Sequence, residues 1–362
     1  MTAISRSNQT HFEESVRPAA TDIPAASLRY DWLMAILSVI TMLGVFLDGW
    51  AHNSFSGSIE TFLTPWHAVL YGGVLLSGIA LGIPYVLNVV KGYSWQRALP
   101  KGYMISLIGF FIFGTAGGFD FVWHSLFGFE ADTEALLSPA HLFLALGAVL
   151  MMSGALRAAW MAGGKEDRQG WARLGPAILS LLAVLSIFTF FGQFANVITH
   201  AHNIVGQQPY SADRYVWQNS TVTYILIPAM ILSGFMLFAI RRWKLPTGTF
   251  TFLFTANATL MFWESVRYNG ENWPVLIGAV AGGIAADVLY NVLKPSVDRV
   301  RELRIFAFAV PFLYFLFVLI SMIVTQGIWW RIHMWLGAPV LAGVIGLGMS
   351  MLLAPPTIPS EA

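Results

Sequence analysis

The chain has 362 residues, 56% of them hydrophobic, 14% aromatic and 11% charged, with a formal net charge of +1 and no cysteine. Soluble domains carry charge on about a quarter of their residues, so this composition excludes a soluble globular protein and predicts an all-α, polytopic integral membrane bundle. Without cysteine there is no disulfide framework, thiolate metal site or redox dithiol. No basic patch with interleaved aromatics points to nucleic acid.

Residues 1–28, rich in Ser, Thr, Ala and Pro, lack the basic-then-apolar order of a cleavable signal and read as a disordered cytosolic tail. Apolar runs near the roughly 20 residues needed to cross a bilayer then predict about ten spans: 32–48, 65–87, 102–124, 139–162, 176–198, 222–240, 249–263, 275–293, 305–324 and 332–353. The seventh is the shortest. Residues 29–165 read as a duplicated four-helix metal-binding half, 166–354 as a six-helix membrane bundle and 355–362 as a C-terminal tail. With the N-terminus inside, 17 of the 20 Lys and Arg fall in inner segments, leaving only Arg214, Arg267 and Arg331 outside. Cytoplasmic loops retain positive charge, so this split predicts an even number of spans, both termini cytoplasmic, in a bacterial inner membrane.

One motif occurs twice. Asp48, His52, Glu60, Pro65 and His67 recur in the same order as Asp120, His124, Glu134, Pro139 and His141, 72 residues on at the Asp and 74 at the second His. In each copy the Asp and the first His are four apart near the end of an outgoing helix and share one face. Thr64-Pro65 and Ser138-Pro139 read as an N-cap followed by proline at the first helical position, so His67 and His141 fall in the first turn of a returning helix. The positive end of that helix favours a neutral ring with its lone pair available. Both hairpins run in the same sense, which implies a pseudo-twofold axis along the membrane normal.

Ionisable side chains at the ends of apolar helices are expensive, and metal binding offsets the cost. The predicted ligands are Asp48, His52, His67, Asp120, His124 and His141. They form either two mononuclear sites or one dinuclear site, and Glu60 or Glu134 serves as ligand, orienting partner or proton acceptor. Nitrogen and oxygen donors without sulfur suit copper(II), zinc, iron(II) or manganese(II). Seven of the eight histidines map to the outer side, so the site faces the periplasm or exterior, at a mouth carrying Glu60, Glu130, Asp132 and Glu134. His200, His202 and His333 are secondary candidates. Gln193 and Asn196 can hydrogen-bond a ligand from within the bundle, Glu264 and Arg267 read as an ion pair, and Asp287 with Asn291 maps near the inner face.

The runs from Phe46 to His52, Thr64 to Tyr71 and Leu137 to His141 resemble a widespread group of bacterial multi-pass membrane proteins, a likeness that covers nearly the whole chain and implies no particular activity. Locally, Asp48, His52 and His67, and again Asp120, His124 and His141, are similar to the metal site in the C subunit of particulate methane and ammonia monooxygenases. The separation of the two histidines, 15 and 17 residues, is longer than in that family, and the motif is duplicated here. This resemblance implies copper and oxygen chemistry.

The functional expectation is a copper- or dinuclear-metal-dependent membrane oxidoreductase acting on a small apolar or lipid-soluble substrate. Membrane lipids surround it, and a quinol or an electron-donor partner supplies electrons. A transporter or metal-handling protein using the same residues as a metal or proton site, and a structural or assembly subunit stapled by a structural metal, are the alternatives.

Overall fold

The computed structural model describes residues 22–55, 64–128, 130, 132–162, 170–207 and 214–355. His11, Glu60 and nearly all of both expected tails lie outside the described residues. Among the described residues there is no β-strand, only the isolated bridges Val205 with Ile328 and Ser296 with Arg299.

The helices in chain order are α1 (Leu28–Phe55), α2 (Pro65–Val90), α3 (Met104–Phe127), α4 (Asp132–Leu137), α5 (Pro139–Met152), α6 (Gly154–Met161), α7 (Gly170–Phe191), α8 (Arg214–Arg242), α9 (Thr249–Glu264), α10 (Val266–Asn269), α11 (Val275–Leu293), α12 (Val300–Thr325), α13 (Ile332–Trp335) and α14 (Gly337–Leu353). Among the described residues eight helices are long and apolar enough to cross a membrane: α1, α2, α3, α7, α8, α11, α12 and the α13–α14 run. The fourth predicted span is broken. Its halves, α5 and α6, bend by 43° around Ser153. Here Ser153 Oγ donates to the Val149 carbonyl at 2.5 Å, and the Arg157 guanidinium takes the Leu150 carbonyl at 2.9 Å and the Ser106 hydroxyl at 2.8 Å. The Val149 carbonyl keeps its bond from the Ser153 N–H as well, so side-chain donors supplement the helical ladder where it bends away from water.

The seventh predicted span is α9, with 16 residues, or about 24 Å at 1.5 Å per residue. Its first turn is held by Asp287 of α11, whose carboxylate accepts from the backbone N–H of Phe250 and Thr251 and from the Thr251 hydroxyl. Asn291 donates to the Asp287 carbonyl. The fifth span stops at Phe191, and residues 193–195 form a 3₁₀ turn.

In lipid, apolar side chains gain little by leaving the solvent, and helices associate through close packing at small residues. The duplication repeats this packing as well as the chemistry. A Cβ on Gly73 would stand 2.9 Å from the Thr41 backbone, and one on Gly147 would stand 2.6 Å from the Phe113 backbone. Thr41 and Phe113 are 72 apart and the two glycines 74 apart, so α1 against α2 and α3 against α5 are the same contact made twice.

The most enclosed span is α7, with 78% of its apolar window buried. It packs on α1, α5, α6, α8 and α9. One apolar core runs from Phe46 and Phe113 through Leu181 and Leu185 to Phe250, Phe306 and Phe315, so it is continuous between the duplicated half and the later helices. A smaller core around Met34, Leu81 and Tyr103 sits at the other end of α1, where the Tyr103 hydroxyl donates to the buried Asp31 at 2.7 Å.

Candidate metal centre

The last turns of α1 and α3 and the first turns of α2 and α5 gather the duplicated residues into two groups. In each of the sets Asp48, His52, His67 and Asp120, His124, His141, one ligand atom per residue lies within 4.8 Å of the others. In the first group His67 Nε2 is 3.2 Å and His52 Nε2 3.9 Å from Asp48 carboxylate oxygens. In the second, His141 Nε2 and His124 Nε2 stand 3.2 Å and 3.3 Å from the same Asp120 Oδ1. The paired imidazole centroids are 5.6 Å apart in both copies.

The opposite ring nitrogens are engaged. His67 Nδ1 is 2.7 Å from Thr64 Oγ1, the N-cap hydroxyl that also accepts from the His67 backbone N–H. His141 Nδ1 is 2.5 Å from the Ala135 carbonyl. His124 Nδ1 faces the Gly128 carbonyl at 3.2 Å and Glu130 Oε2 at 3.1 Å. Carbonyls and carboxylates only accept, so the network puts the proton of His124 and His141 on Nδ1 and leaves Nε2 its lone pair. Those lone pairs converge on Asp120 Oδ1, which is buried and accepts no hydrogen bond; Asp48 Oδ1 is in the same condition.

Donor atoms around an ion with bonds of about 2.0–2.2 Å stand about 3.0–3.4 Å apart. The 3.2 Å and 3.3 Å separations match that spacing, the 3.9 Å of His52 from Asp48 exceeds it, and each group could hold a metal ion. The two groups also lie within electrostatic range of each other. Asp120 acts on Asp48, and His124 and His141 act on His52. His52 has 51% of its side chain exposed, against 9% for His124, so the first group has the more open entry.

The structure places the other predicted residues differently. Glu134 is exposed on α4, and its carbonyl accepts the Ser138 N–H. The acid beside the second group is Glu130, whose Oε1 accepts from Trp123 Nε1 at 2.6 Å. Burial acts upward on the Glu130 carboxyl but is outweighed by its own backbone N–H and by polar and charged neighbours including His124 and Trp123, which hold it below the ordinary range. Glu264 and Arg267 are not ion-paired. Glu264 Oε1 accepts from Asn53 Nδ2 at 2.9 Å, while Arg267 donates to the carbonyls of Asn53 and Ser54. A helix end with unsatisfied carbonyls attracted the guanidinium instead.

His200 and His202 stand with ring centroids 5.9 Å apart, and His200 stacks on Tyr224. Neither belongs to a metal-type group among the described residues, and neither does the exposed His333. Burial holds both His200 and His202 below the ordinary imidazole value. Asn196 closes a local turn by accepting the Ile198 N–H, and the Gln193 carbonyl accepts from the Thr199 hydroxyl. The chain matches no protein-family model, no curated protein and no solved structure.

Proposed function

We propose that this chain is an integral membrane metalloprotein that holds two transition-metal ions, one at Asp48, His52 and His67 and one at Asp120, His124 and His141. The observation that carries the reading is the orientation of the second group: two Nε2 lone pairs and an orphaned carboxylate oxygen point at one another across 3.2 Å and 3.3 Å. Lone pairs at that separation repel unless a metal ion or a proton lies between them, and a metal ion can engage all three donors at once. Two imidazoles and one carboxylate with open positions suit copper(II), iron(II) or zinc, and affinity order puts copper first.

Within that reading the activity is a metal-dependent oxidation of a small apolar or lipid-soluble substrate at the outer face of a bacterial inner membrane, with electrons from a quinol or protein partner. A bound copper or iron ion would supply the redox change. The chain's own residues orient the imidazoles through Thr64, Ala135 and Glu130, and offer carboxylates that can take a proton. Phe121, Leu126, Phe127, Leu142 and Phe143 expose apolar side chains beside the second group, and this surface supports approach of the substrate from the lipid. The transport alternative needs a route inward, for which Asp287, Asn291 and Glu264 are the candidates; Asp287 is occupied in fastening α9 and Asn291 donates to the Asp287 carbonyl.

The test is metal content by mass spectrometry of the detergent-purified chain beside His52→Ala/His124→Ala. Two equivalents of copper or iron in the wild type, lost in the double variant, support the reading. A wild type that binds none after loading overturns it.

A further inference from the structure

Glu264 ends α9, 123 residues beyond His141, yet its side chain lies against the last turns of α1, at Gly49 and Asn53, the neighbours of Asp48 and His52. It is 1% exposed. Its Oε1 accepts from Asn53 Nδ2 at 2.9 Å and its main-chain oxygen accepts from the same nitrogen at 3.3 Å; Asn53 directly follows His52. Its Oε2 is buried with no hydrogen-bond partner. A Cβ on Gly49 would stand 2.4 Å from Oε1, so only glycine after Asp48 lets this carboxylate pack onto the α1 backbone. Asp48 lies within electrostatic range of Glu264, and among the described residues no Lys or Arg forms an ion pair with either.

Two carboxylates this sheltered call for a balancing cation or proton, since an unpaired charge is costly to bury. The second copy solves the same problem differently. Phe121 stands where the first copy has Gly49, 72 residues away, and the extra acid is Glu130 from the loop beyond α3.

We infer that Glu264 is the charge-balancing and positioning acid of the first metal group, as Glu130 is of the second. The inference rests on the metal reading above and extends it. Asp48, Glu264, Asp120 and Glu130 together supply four negative charges for two divalent cations, and the later helices contribute to the centre as well as supporting it. Glu264 acts through Asn53, which fixes the last turn of α1 carrying His52, and through its field at Asp48. The two ions are therefore inequivalent, one balanced by an acid sealed in the protein and the other by an acid on an outer loop.

The experiment titrates the full-length apo-protein in detergent with cobalt(II), following its visible bands, and counts retained equivalents by mass spectrometry. Glu264→Gln is expected to weaken one of the two equivalents by about 10- to 100-fold and to change its band pattern, while Glu130→Gln acts on the other. The apo-protein of Glu264→Gln should unfold no earlier than wild type, because a buried charge has gone, which separates the effect from a merely structural role. Glu264→Asp keeps the charge but withdraws it, and should retain both ions with one altered spectrum. If both variants bind two ions with wild-type affinity and bands, the inference is overturned and the metal reading stands; if the wild type binds no metal, both fall.

Discussion

His124 Nδ1 lies 3.1 Å from Glu130 Oε2, and the same imidazole turns its Nε2 to Asp120 Oδ1 at 3.3 Å. The ring is thus fixed along one edge by a loop acid that sets the tautomer, and it presents its other edge to the aspartate of its own helix. Gly128, with φ of 81°, ends α3 and turns the chain so that Glu130 folds back over His124. An acid in that role raises the basicity of the ligand and holds its orientation.

Glu130→Gln should therefore weaken the ion of the second group by about 10- to 100-fold without altering the first. The amide can place an N–H toward Nδ1 and favour the wrong tautomer. Competitive titration against a chromophoric chelator measures this. Equal affinity in variant and wild type would mean that Glu130 only packs against Trp123.

His141→Ala removes one of three ligands of the second group. A ligand present at 100 times its dissociation constant stabilises the folded state by about 2.7 kcal/mol per site. Metal addition should raise the unfolding midpoint in wild type by two such contributions and in the variant by one. A full metal-induced shift in His141→Ala would show that the ion is held elsewhere.

The hairpins were legible because their chemistry and packing recur: the offsets of 72 and 74 residues that pair Asp48 with Asp120 and His67 with His141 also pair Thr41 with Phe113 and Gly73 with Gly147. Thr64 caps α2 as its sequence context predicts, whereas the Ser138 side chain makes no cap bond, because the carbonyl of Ala135 rather than a hydroxyl meets the His141 ring. A backbone acceptor leaves no mark in the residue types. Glu264 was hidden for another reason. Its neighbour three residues on, Arg267, offered an obvious partner, and only the approach of α9 to α1 shows that the two side chains serve different groups. The break at Ser153 sits in a run whose hydropathy is continuous, so its signal was the single charged residue of that run, the half-buried Arg157 four residues later.

Arg157→Met should destabilise the α5–α6 bend. The guanidinium satisfies the Gly102 and Leu150 carbonyls and the Ser106 hydroxyl, and each buried acceptor left alone costs about 1–3 kcal/mol. The expected loss is about 2–5 kcal/mol of stability, read as a lower unfolding midpoint in detergent, with two metal equivalents still bound by the protein that remains folded. An unchanged midpoint would show that water reaches these groups.

Stability of the apo-protein should fall on mild acidification because of His200 and His202. Burial is the largest influence on both rings and acts downward; the Asn196 carbonyl partly opposes it at His200 and Asn269 at His202. The unfolded chain takes up protons near the ordinary value of about 6.5, while the folded chain does so only at lower pH. Between those values the unfolded state binds more protons, so stability rises with pH there. The stabilising contribution is fully present above about pH 6.5 and is lost as pH falls toward the folded values. Thermal unfolding from pH 8 to 5 in the presence of a chelator, comparing wild type with His200→Asn/His202→Asn, should show a shallower acid decline in the variant. Identical slopes would assign the decline to the metal-group histidines, and the His200 and His202 rings would then titrate as they do in the unfolded chain.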